Sequence, residues 1–171
     1  MRAVVQRVRR ARVTVGGVET GAIEAGLLVY LGIAPGDGPS EVEWCARKIA
    51  ELRLFPDLPG TDSADRMDRS VEDLGADGAV LLVSQFTLYA DTRRGRRPAF
   101  TDAAPPDLAA PLVDAVRDAL RARGIRVEEG RFGAHMLVES ENDGPVTIIL
   151  ARLRERAGVR VSRFGRRLSQ Q

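Results

Sequence analysis

The sequence predicts a single α+β domain, an α/β fold of mostly antiparallel β-sheets with two main helices. Valine-rich runs with alternating or continuous apolar residues recur along the chain, as they do in strands. Two windows, opening near Ser40 and Pro105, carry apolar residues at helical spacing. The length of 171 residues suits one domain with its own core. We place this domain at residues 1–151, followed by a basic tail at 152–171.

The first third of the chain predicts three strands. Residues 2–15 (RAVVQRVRRARVTV) alternate loosely and are rich in valine. Gly16 and Gly17 join them to a second short run, which is the signature of a two-residue hairpin turn. The continuous apolar run at 27–33 (LLVYLGI) predicts a strand that is buried on both faces.

Capping signals and periodicity predict the two helices. The first opens at Ser40, with Glu43 three residues later as in a capping box. The second begins at Pro105 or Pro106 and stops at Gly124. The expected inward residues are Val42, Cys45, Ile49 and Leu52 in the first helix, and Leu108, Leu112, Val116 and Leu120 in the second.

The other segments predict loops and strands. The polar stretch 55–78 is expected to be a long loop with one short strand near 67–71. A strand is expected at 79–89, and three strands at 125–151, with a turn at 142–145 between the last two. Arg93, Arg94, Arg96 and Arg97 form a basic loop around Gly95, which is either a phosphate contact or a solvated loop.

Composition narrows the class of protein. With 44% hydrophobic and 29% charged residues, the chain is typical of soluble globular proteins. No apolar run approaches the ~20 residues of a membrane helix, so no membrane partner is expected. One cysteine allows no intrachain disulfide, which favours the cytoplasm. From Arg152 the tail has seven Arg and one Glu, so disorder and polyanion binding both remain open for it.

The usual side chains for catalysis are scarce. The single histidine, His135, lies in a strand-like run without an evident nucleophile to serve. One histidine and one cysteine cannot form the common zinc sites, and no phosphate-binding glycine loop is present. We therefore predict no metal and no cofactor.

Two polar segments remain as candidates. Ser84, Gln85 and Thr87 interrupt an apolar run, and burying such groups without partners costs roughly 1–3 kcal/mol. Either a hydrogen-bond network or a ligand must satisfy them. The segment NDGPVT at 142–147 is either a plain β-turn or a rigid cis Gly144–Pro145 element that presents main-chain carbonyls to a ligand.

These two segments carry a family resemblance. SQFTL (84–88) and NDGPVT (142–147) resemble the paired SQxxL and NxGPxT motifs of the D-aminoacyl-tRNA deacylases. The segments MRAVVQRV, GLLVYLGIAPGD, LYADTRRGRRPAFTDAAPP and GRFGAHM are similar to that family in the same order. The likeness spans about residues 1–150.

The resemblance implies a homodimer with an active site at each end of the subunit interface. It implies that the pocket is lined by Ser84, Gln85, Phe86 and Thr87, with Ala134 as a wall. Gly144 and Pro145, within the motif that Asn142 and Thr147 bound, would reach into the partner's pocket as a cis dipeptide. The implied substrate is tRNA carrying a D-amino acid, or glycine misattached to alanine tRNA, and the implied reaction is ester hydrolysis.

Two catalytic schemes follow from that resemblance. Thr87 could be a nucleophile, but it has no evident base, and a hydroxyl is weak at its free pKa. We favour the second scheme, in which the 2′-OH of the terminal ribose helps activate water. Gln85 and main-chain N–H groups near Phe86 and Thr87 would then stabilise the oxyanion. A Gly144–Pro145 backbone wall would reject L side chains by steric clash.

The chain departs from the family pattern in two places. The loop at 56–70 is longer, with Asp68 where asparagine is usual, and the tail from Arg152 has no counterpart. The competing hypothesis is a non-catalytic dimeric RNA-binding protein or an inactive paralogue.

Overall fold

A six-stranded mixed sheet forms the centre of the structure, a computed structural model that describes residues 1–57 and 66–152. A small two-stranded sheet, two helices and two 3₁₀ turns complete the described part. The strands are β1 (Arg2–Val15), β2 (Val18–Ile23), β3 (Gly26–Gly32), β4 (Phe55–Pro56), β5 (Met67–Arg69), β6 (Ala79–Ser84), β7 (Arg126–Glu129) and β8 (Leu137–Ala151). The helices are α1 (Pro39–Glu51) and α2 (Pro106–Arg121), and the 3₁₀ turns are Gly75–Asp77 and Phe86–Tyr89.

The long strand β1 organises the antiparallel part of the sheet. It pairs with β3 through its first half, with β2 through its second half, and with β8 over nearly its whole length. Gly16 and Gly17 adopt φ of 58° and 82°, as the predicted hairpin turn between β1 and β2 requires. The predicted hairpin and the buried strand β3 are both confirmed.

The strands β3, β6 and β7 are parallel to one another. Parallel neighbours need crossover connections, and α1 and α2 lie in the two crossovers. The carboxyl ends of all three strands therefore meet at one edge of the sheet. The prediction of mostly antiparallel pairing with two main helices is confirmed, with this parallel unit added.

Two apolar clusters hold the layers together. The larger lies where α1 and α2 pack against the sheet and includes Val29, Ile49 and Leu120. The smaller lies on the other face, where the sheet curls, and is formed by Val8, Ala11, Val13, Ile23, Leu28, Ala79, Leu81 and Val83. A Cβ on Gly21 would lie 2.6 Å from the carbonyl oxygen of Glu129, so the curl brings β2 against β7.

The helix boundaries differ from the predictions in detail. Gly38, not Ser40, is the N-cap of α1, and its N–H donates to Glu41 Oε2 at 3.0 Å. The predicted box with Glu43 is wrong because Pro39, which suits the first helical position, moves the start forward. In α2, Leu108 is 51% exposed, whereas Ala109, Val113, Val116 and Leu120 are buried. The inward face of α2 therefore begins one residue later than predicted.

The predicted strand at 79–89 is wrong in its second half. β6 ends at Ser84, Gln85 takes φ −144° and ψ 84°, and residues 86–89 form a 3₁₀ turn. The apolar pattern continues through Phe86 and Leu88, but the backbone changes direction.

The predicted turn at 142–145 and the third strand at 125–151 are also wrong. Only β7 and β8 form there, and β8 stays antiparallel to β1 on both sides of the segment. Gln6 pairs with Thr147 and Val8 with Asn142, so residues 143–146 form an outward bulge. Turn and bulge share a preference for Asn, Asp, Gly and Pro, and local composition cannot separate them.

The predicted short strand near 67–71 is confirmed as β5, which pairs with β4. Part of the loop at 56–70, and the tail beyond Arg152, lie outside the described residues. Within the described ranges, neither helix is long and apolar enough to cross a membrane.

Candidate active site

A cavity of about 600 Å³ opens at the carboxyl ends of β3 and β6. Leu31 and Ser84 lie at the strand ends, Ala109 and Val113 of α2 form one wall, and residues 132–136 after β7 form another. Ligands of sheets with helical crossovers bind at this edge. The cavity is therefore the candidate active site.

The turn at Phe86–Tyr89 lies beside this cavity, and its first residue, Phe86, lines it. The turn is anchored by the N–H of Gln85, which donates to the carbonyl of Leu31 at 2.8 Å. The N–H of Leu88 then donates to the carbonyl of Gln85 at 3.3 Å and closes the first turn. The N–H groups of Phe86 and Thr87 precede this bond, so neither has a partner within the turn.

Two neighbours hold the same turn in place. Arg2 donates from Nη1 to the carbonyl of Leu88 at 2.9 Å, and its guanidinium lies 4.5 Å from the centre of the Tyr89 ring. Gly32 packs so closely that a Cβ there would lie 3.0 Å from the carbonyl oxygen of Gln85. The position of the turn therefore depends on β1 and β3.

Four of the residues that the family resemblance implies for the pocket meet at the cavity. Ser84, Gln85, Phe86 and Ala134 line it. Thr87 lies beside them but does not line it; its side chain is exposed and accepts a hydrogen bond from Gln85 Nε2. His135 also lines the cavity.

The expectation that this polar set is buried is wrong. Ser84 and Gln85 are half-buried and Thr87 is exposed, because β6 ends before them. In the described ranges, no buried side-chain nitrogen or oxygen lacks a hydrogen-bond partner. Desolvation of these side chains therefore gives no reason to expect a ligand, and the cavity beside them does.

Aromatic side chains surround the mouth of the cavity, and two of them were not expected from the sequence. Phe86 is 58% exposed, and Phe100 and Phe132 are 38% and 40% exposed. The rings of Phe86 and Phe100 meet edge to face, with centroids 5.0 Å apart. Such exposed rings can stack on a planar group of a ligand. Phenylalanine within the basic segments GRRPAF and GRF was the available signal.

The NDGPVT bulge is a second rigid structure. Asn142 Oδ1 accepts the N–H of Val146 at 3.0 Å, and Asn142 Nδ2 donates to Thr147 Oγ1 at 3.1 Å. Gln6 Nε2 donates to the same hydroxyl at 3.2 Å. The bond between Gly144 and Pro145 is cis, as expected, and both residues are exposed. Neither lines the cavity of its own chain.

Arg7 fastens this bulge to the body of the domain, a role that sequence reasoning also missed. Its guanidinium donates to the carbonyls of Leu54 at 2.6 Å and Asp143 at 3.2 Å, and pairs with the Asp143 carboxylate at 3.1 Å. Because Gly144 has φ +125°, and a Cβ on it would meet Val146 Cγ2 at 2.7 Å, no other residue fits there without strain.

The described residues offer few chemical groups for covalent catalysis. Cys45 is fully buried, and burial raises the pKa of its thiol to about 12, which keeps it protonated. Among residues 1–57 and 66–152, no three His, Cys, Asp or Glu side chains cluster as a metal site would require.

Comparison with known proteins gives one matching family model and several similar proteins. A family model described as D-Tyr-tRNA(Tyr) deacylase matches residues 4–151. A Kineococcus radiotolerans protein named D-aminoacyl-tRNA deacylase is 60% identical over 151 residues, covering 88% of this chain and 99% of the relative. A Chloroflexus aurantiacus protein of the same name is 56% identical over 165 residues, covering 94% of this chain and 99% of the relative.

Two solved structures share the fold. One, of a protein named c-Myc DNA Unwinding Element Binding Protein, is 41% identical with a TM-score of 0.81, covering 90% of this chain and 100% of that chain. The other, of a probable eukaryotic D-amino acid tRNA deacylase, is 19% identical with a TM-score of 0.74, covering 87% and 97%. At that identity the second shows the fold alone.

Proposed function

This chain belongs to the D-Tyr-tRNA(Tyr) deacylase family, and from that premise we propose that it is a D-aminoacyl-tRNA deacylase. It hydrolyses the ester between a D-amino acid and the 3′ end of tRNA, releasing both, and acts in the cytoplasm. One observation carries the proposal: the family match at 4–151 contains both the turn beside the cavity and the NDGPVT bulge.

The cavity supports hydrolysis without a side-chain nucleophile. In the described part of the chain, no imidazole or carboxylate is hydrogen-bonded to Thr87, so nothing there activates its hydroxyl. The ribose 2′-OH next to the ester instead assists the attacking water. The N–H groups of Phe86 and Thr87, together with Gln85, stabilise the oxyanion, and one such donor contributes about 3–4 kcal/mol. Thr87 orients Gln85 through their shared hydrogen bond.

Chirality is selected by a main-chain wall supplied by a second copy of the chain. Gly144 and Pro145 are exposed and do not line their own cavity, so they would act on the cavity of the partner. A backbone surface at the α-carbon excludes an L side chain by steric clash and tolerates any D side chain. Glycine has no side chain to exclude, so glycine misattached to alanine tRNA is also a substrate.

The outer surface of β8 supports this homodimer. Its 15 residues pair only with β1 among the described strands, and Leu137 and Ile149 are 62% and 74% exposed. Long edge strands and exposed apolar side chains are features that natural proteins cover. Two active sites then lie at the ends of one interface.

The catalytic domain is assigned to residues 1–151, and the tail at 152–171 has an accessory role in tRNA affinity. Arg152 itself contacts the domain: its side chain donates to the carbonyl of Ser40 at 2.8 Å and lies 3.6 Å from the Glu41 carboxylate. Truncation after Ala151 removes these contacts, but Ser40, Glu41 and Arg152 do not line the cavity, so catalysis is expected to survive. Loss of the basic tail is expected to reduce the salt dependence of tRNA binding.

A non-catalytic nucleic-acid-binding role is the competing proposal. It is favoured by the 41% identical solved structure, whose protein is named for binding a DNA unwinding element. Release of tyrosine from D-tyrosyl-tRNA, measured beside L-tyrosyl-tRNA, separates the two. Catalytic release from the D-ester alone supports the deacylase. Binding of both esters without release would establish the alternative.

A further inference from the structure

A basic loop emerges beside the mouth of the cavity and has no role in the function proposed so far. Asp91 and Ala99 close its base with two main-chain hydrogen bonds, of 2.7 and 2.9 Å. The loop begins directly after the turn at Phe86–Tyr89 and ends next to Phe100, which lines the cavity. Gly95, at φ +69°, forms its tip. Arg97 is three residues from Phe100, at most about 11 Å of extended chain.

The acidic residue at the base of this loop, Asp91, is engaged by one arginine. The Arg93 guanidinium pairs with the Asp91 carboxylate at 2.7 Å and holds the pKa of that carboxyl well below its usual range. The charge of Asp102 also contributes to raising the pKa of the Arg93 guanidinium. In contrast, Arg94, Arg96 and Arg97 form no ion pair with any described residue, and all three are exposed. Three uncompensated positive charges therefore stand beside an apolar, aromatic-lined cavity.

We propose that Arg94, Arg96 and Arg97 bind the phosphodiesters of the single-stranded 3′ end of tRNA, immediately before the nucleotide that carries the ester. This inference rests on the proposed function, because that function puts the terminal nucleoside in the cavity. The preceding phosphates must then pass the rim from which the loop projects. Arginine suits this role because its planar fork donates two parallel hydrogen bonds to phosphate.

The test uses the full-length chain with R94Q/R96Q/R97Q substitutions. We expect the KM for D-tyrosyl-tRNA to increase about tenfold or more, and the salt slope of binding to fall by about 2, at ~0.7 per phosphate contact on a single strand. Hydrolysis of 3′-O-D-tyrosyl-adenosine, which has no phosphodiester, is expected to be unchanged. The matched control is a second triple variant with the same Arg→Gln changes. Its three arginines are ion-paired and do not line the cavity: Arg47, Arg66 and Arg126.

The outcomes separate a failure of the loop inference from a failure of the proposed function. An unchanged KM and salt slope in the loop variant would overturn the inference, as would an equal effect in the control triple. In both cases an active wild-type protein would still support the deacylase function. A parallel loss on the adenosine ester would also overturn it, because the loop would then act on the cavity and not on phosphates. Lysine at all three positions should restore binding, since an ammonium also binds phosphate as a point charge. Wild-type inactivity on D-tyrosyl-tRNA would instead contradict the proposed function.

Discussion

Gln85 donates a hydrogen bond from Nε2 to the hydroxyl oxygen of Thr87, so these two neighbouring polar side chains bind each other beside the cavity. In this pairing the Thr87 hydroxyl accepts a hydrogen bond, and no imidazole or carboxylate of the described residues is bonded to it to take its proton. The pairing therefore distinguishes an orienting threonine from a nucleophilic one, and the first prediction follows from it.

Thr87→Ala should retain most of the catalytic machinery, because only a group that orients Gln85 is lost. We expect kcat for D-tyrosyl-tRNA to fall by no more than about tenfold, ~1.4 kcal/mol of transition-state stabilisation. Single-turnover release of tyrosine measures this. Loss of a true nucleophile would lower kcat by about a million-fold, and that result in a folded variant would restore the covalent scheme.

The terminal ribose is expected to supply the reactive hydroxyl. A D-tyrosyl-tRNA with a 2′-deoxy terminal adenosine should lose at least about a hundredfold in kcat, the lower range of general acid–base contributions. Its binding, measured by gel shift, should be unchanged within a fewfold. Normal turnover of the deoxy substrate would reject assistance by the RNA.

Gly32 is expected to set the position of the turn at 86–89. A Cβ at this position would lie 3.0 Å from the carbonyl oxygen of Gln85 and 3.1 Å from Leu88 Cβ, so Gly32→Ala must displace the turn. We expect a stability loss of about 1–3 kcal/mol, typical of overpacking, and a lower kcat. Thermal unfolding and kinetics measure the two effects. Gly38→Ala, whose nearest neighbour would be 4.0 Å away, is the matched control and should leave kcat unchanged.

Gly144 is expected to control discrimination between D and L substrates. Its φ of +125° and the close approach of Val146 and Arg7 make Gly144→Ala reshape the bulge. The ratio of kcat/KM for D- over L-tyrosyl-tRNA should fall by at least about tenfold, which is ~1.4 kcal/mol. Gly16→Ala, at φ +58° in the hairpin, imposes similar strain away from the bulge and should preserve the ratio. An unchanged ratio for the bulge variant would remove the wall from the mechanism.

Ile149 is expected to lie in the subunit interface. A charge on this 74% exposed side chain would be buried on association, so Ile149→Glu should shift the protein toward monomer and reduce discrimination and activity together. Light scattering gives the mass. Val18→Glu changes a comparably exposed residue, at 66%, in the hairpin, and should leave the mass unaltered. A fully active monomer would contradict an active site shared between subunits.

The sequence predicts the regular elements of this fold well where one local pattern decides them. The alternation of β1, the Gly16–Gly17 turn and the apolar run of β3 each have a single physical interpretation. The end of β6 does not, because Phe86 and Leu88 continue the apolar pattern while the backbone turns at Gln85. Leu108 is misassigned because the helical period alone does not give the rotation of α2 relative to the sheet.

The candidate site was only partly predictable, for a related reason. Its motif segments are visible in the chain, but the parts that hold them come from distant positions. Arg7 supports the bulge from 136 residues away, and Arg2 holds the turn from 86 residues away. Phe100 and Phe132 become significant only when the crossovers bring their loops to one edge. No local pattern contains that information.

The turn at 86–89 and the NDGPVT bulge are both attached to β1, so this strand sets the distance between them. Arg2 donates a hydrogen bond to the carbonyl of Leu88 in the turn. Gln6 and Arg7, four to five residues further along β1, donate hydrogen bonds to the bulge. At ~3.4 Å per residue, that offset is about 14–17 Å of stiff backbone. A one-residue insertion between Arg2 and Gln6 would lengthen this part of β1 and point the side chain on one side of the insertion to the opposite face of the sheet. The number of residues between Arg2 and Gln6 therefore fixes the spacing between the turn and the bulge of one chain.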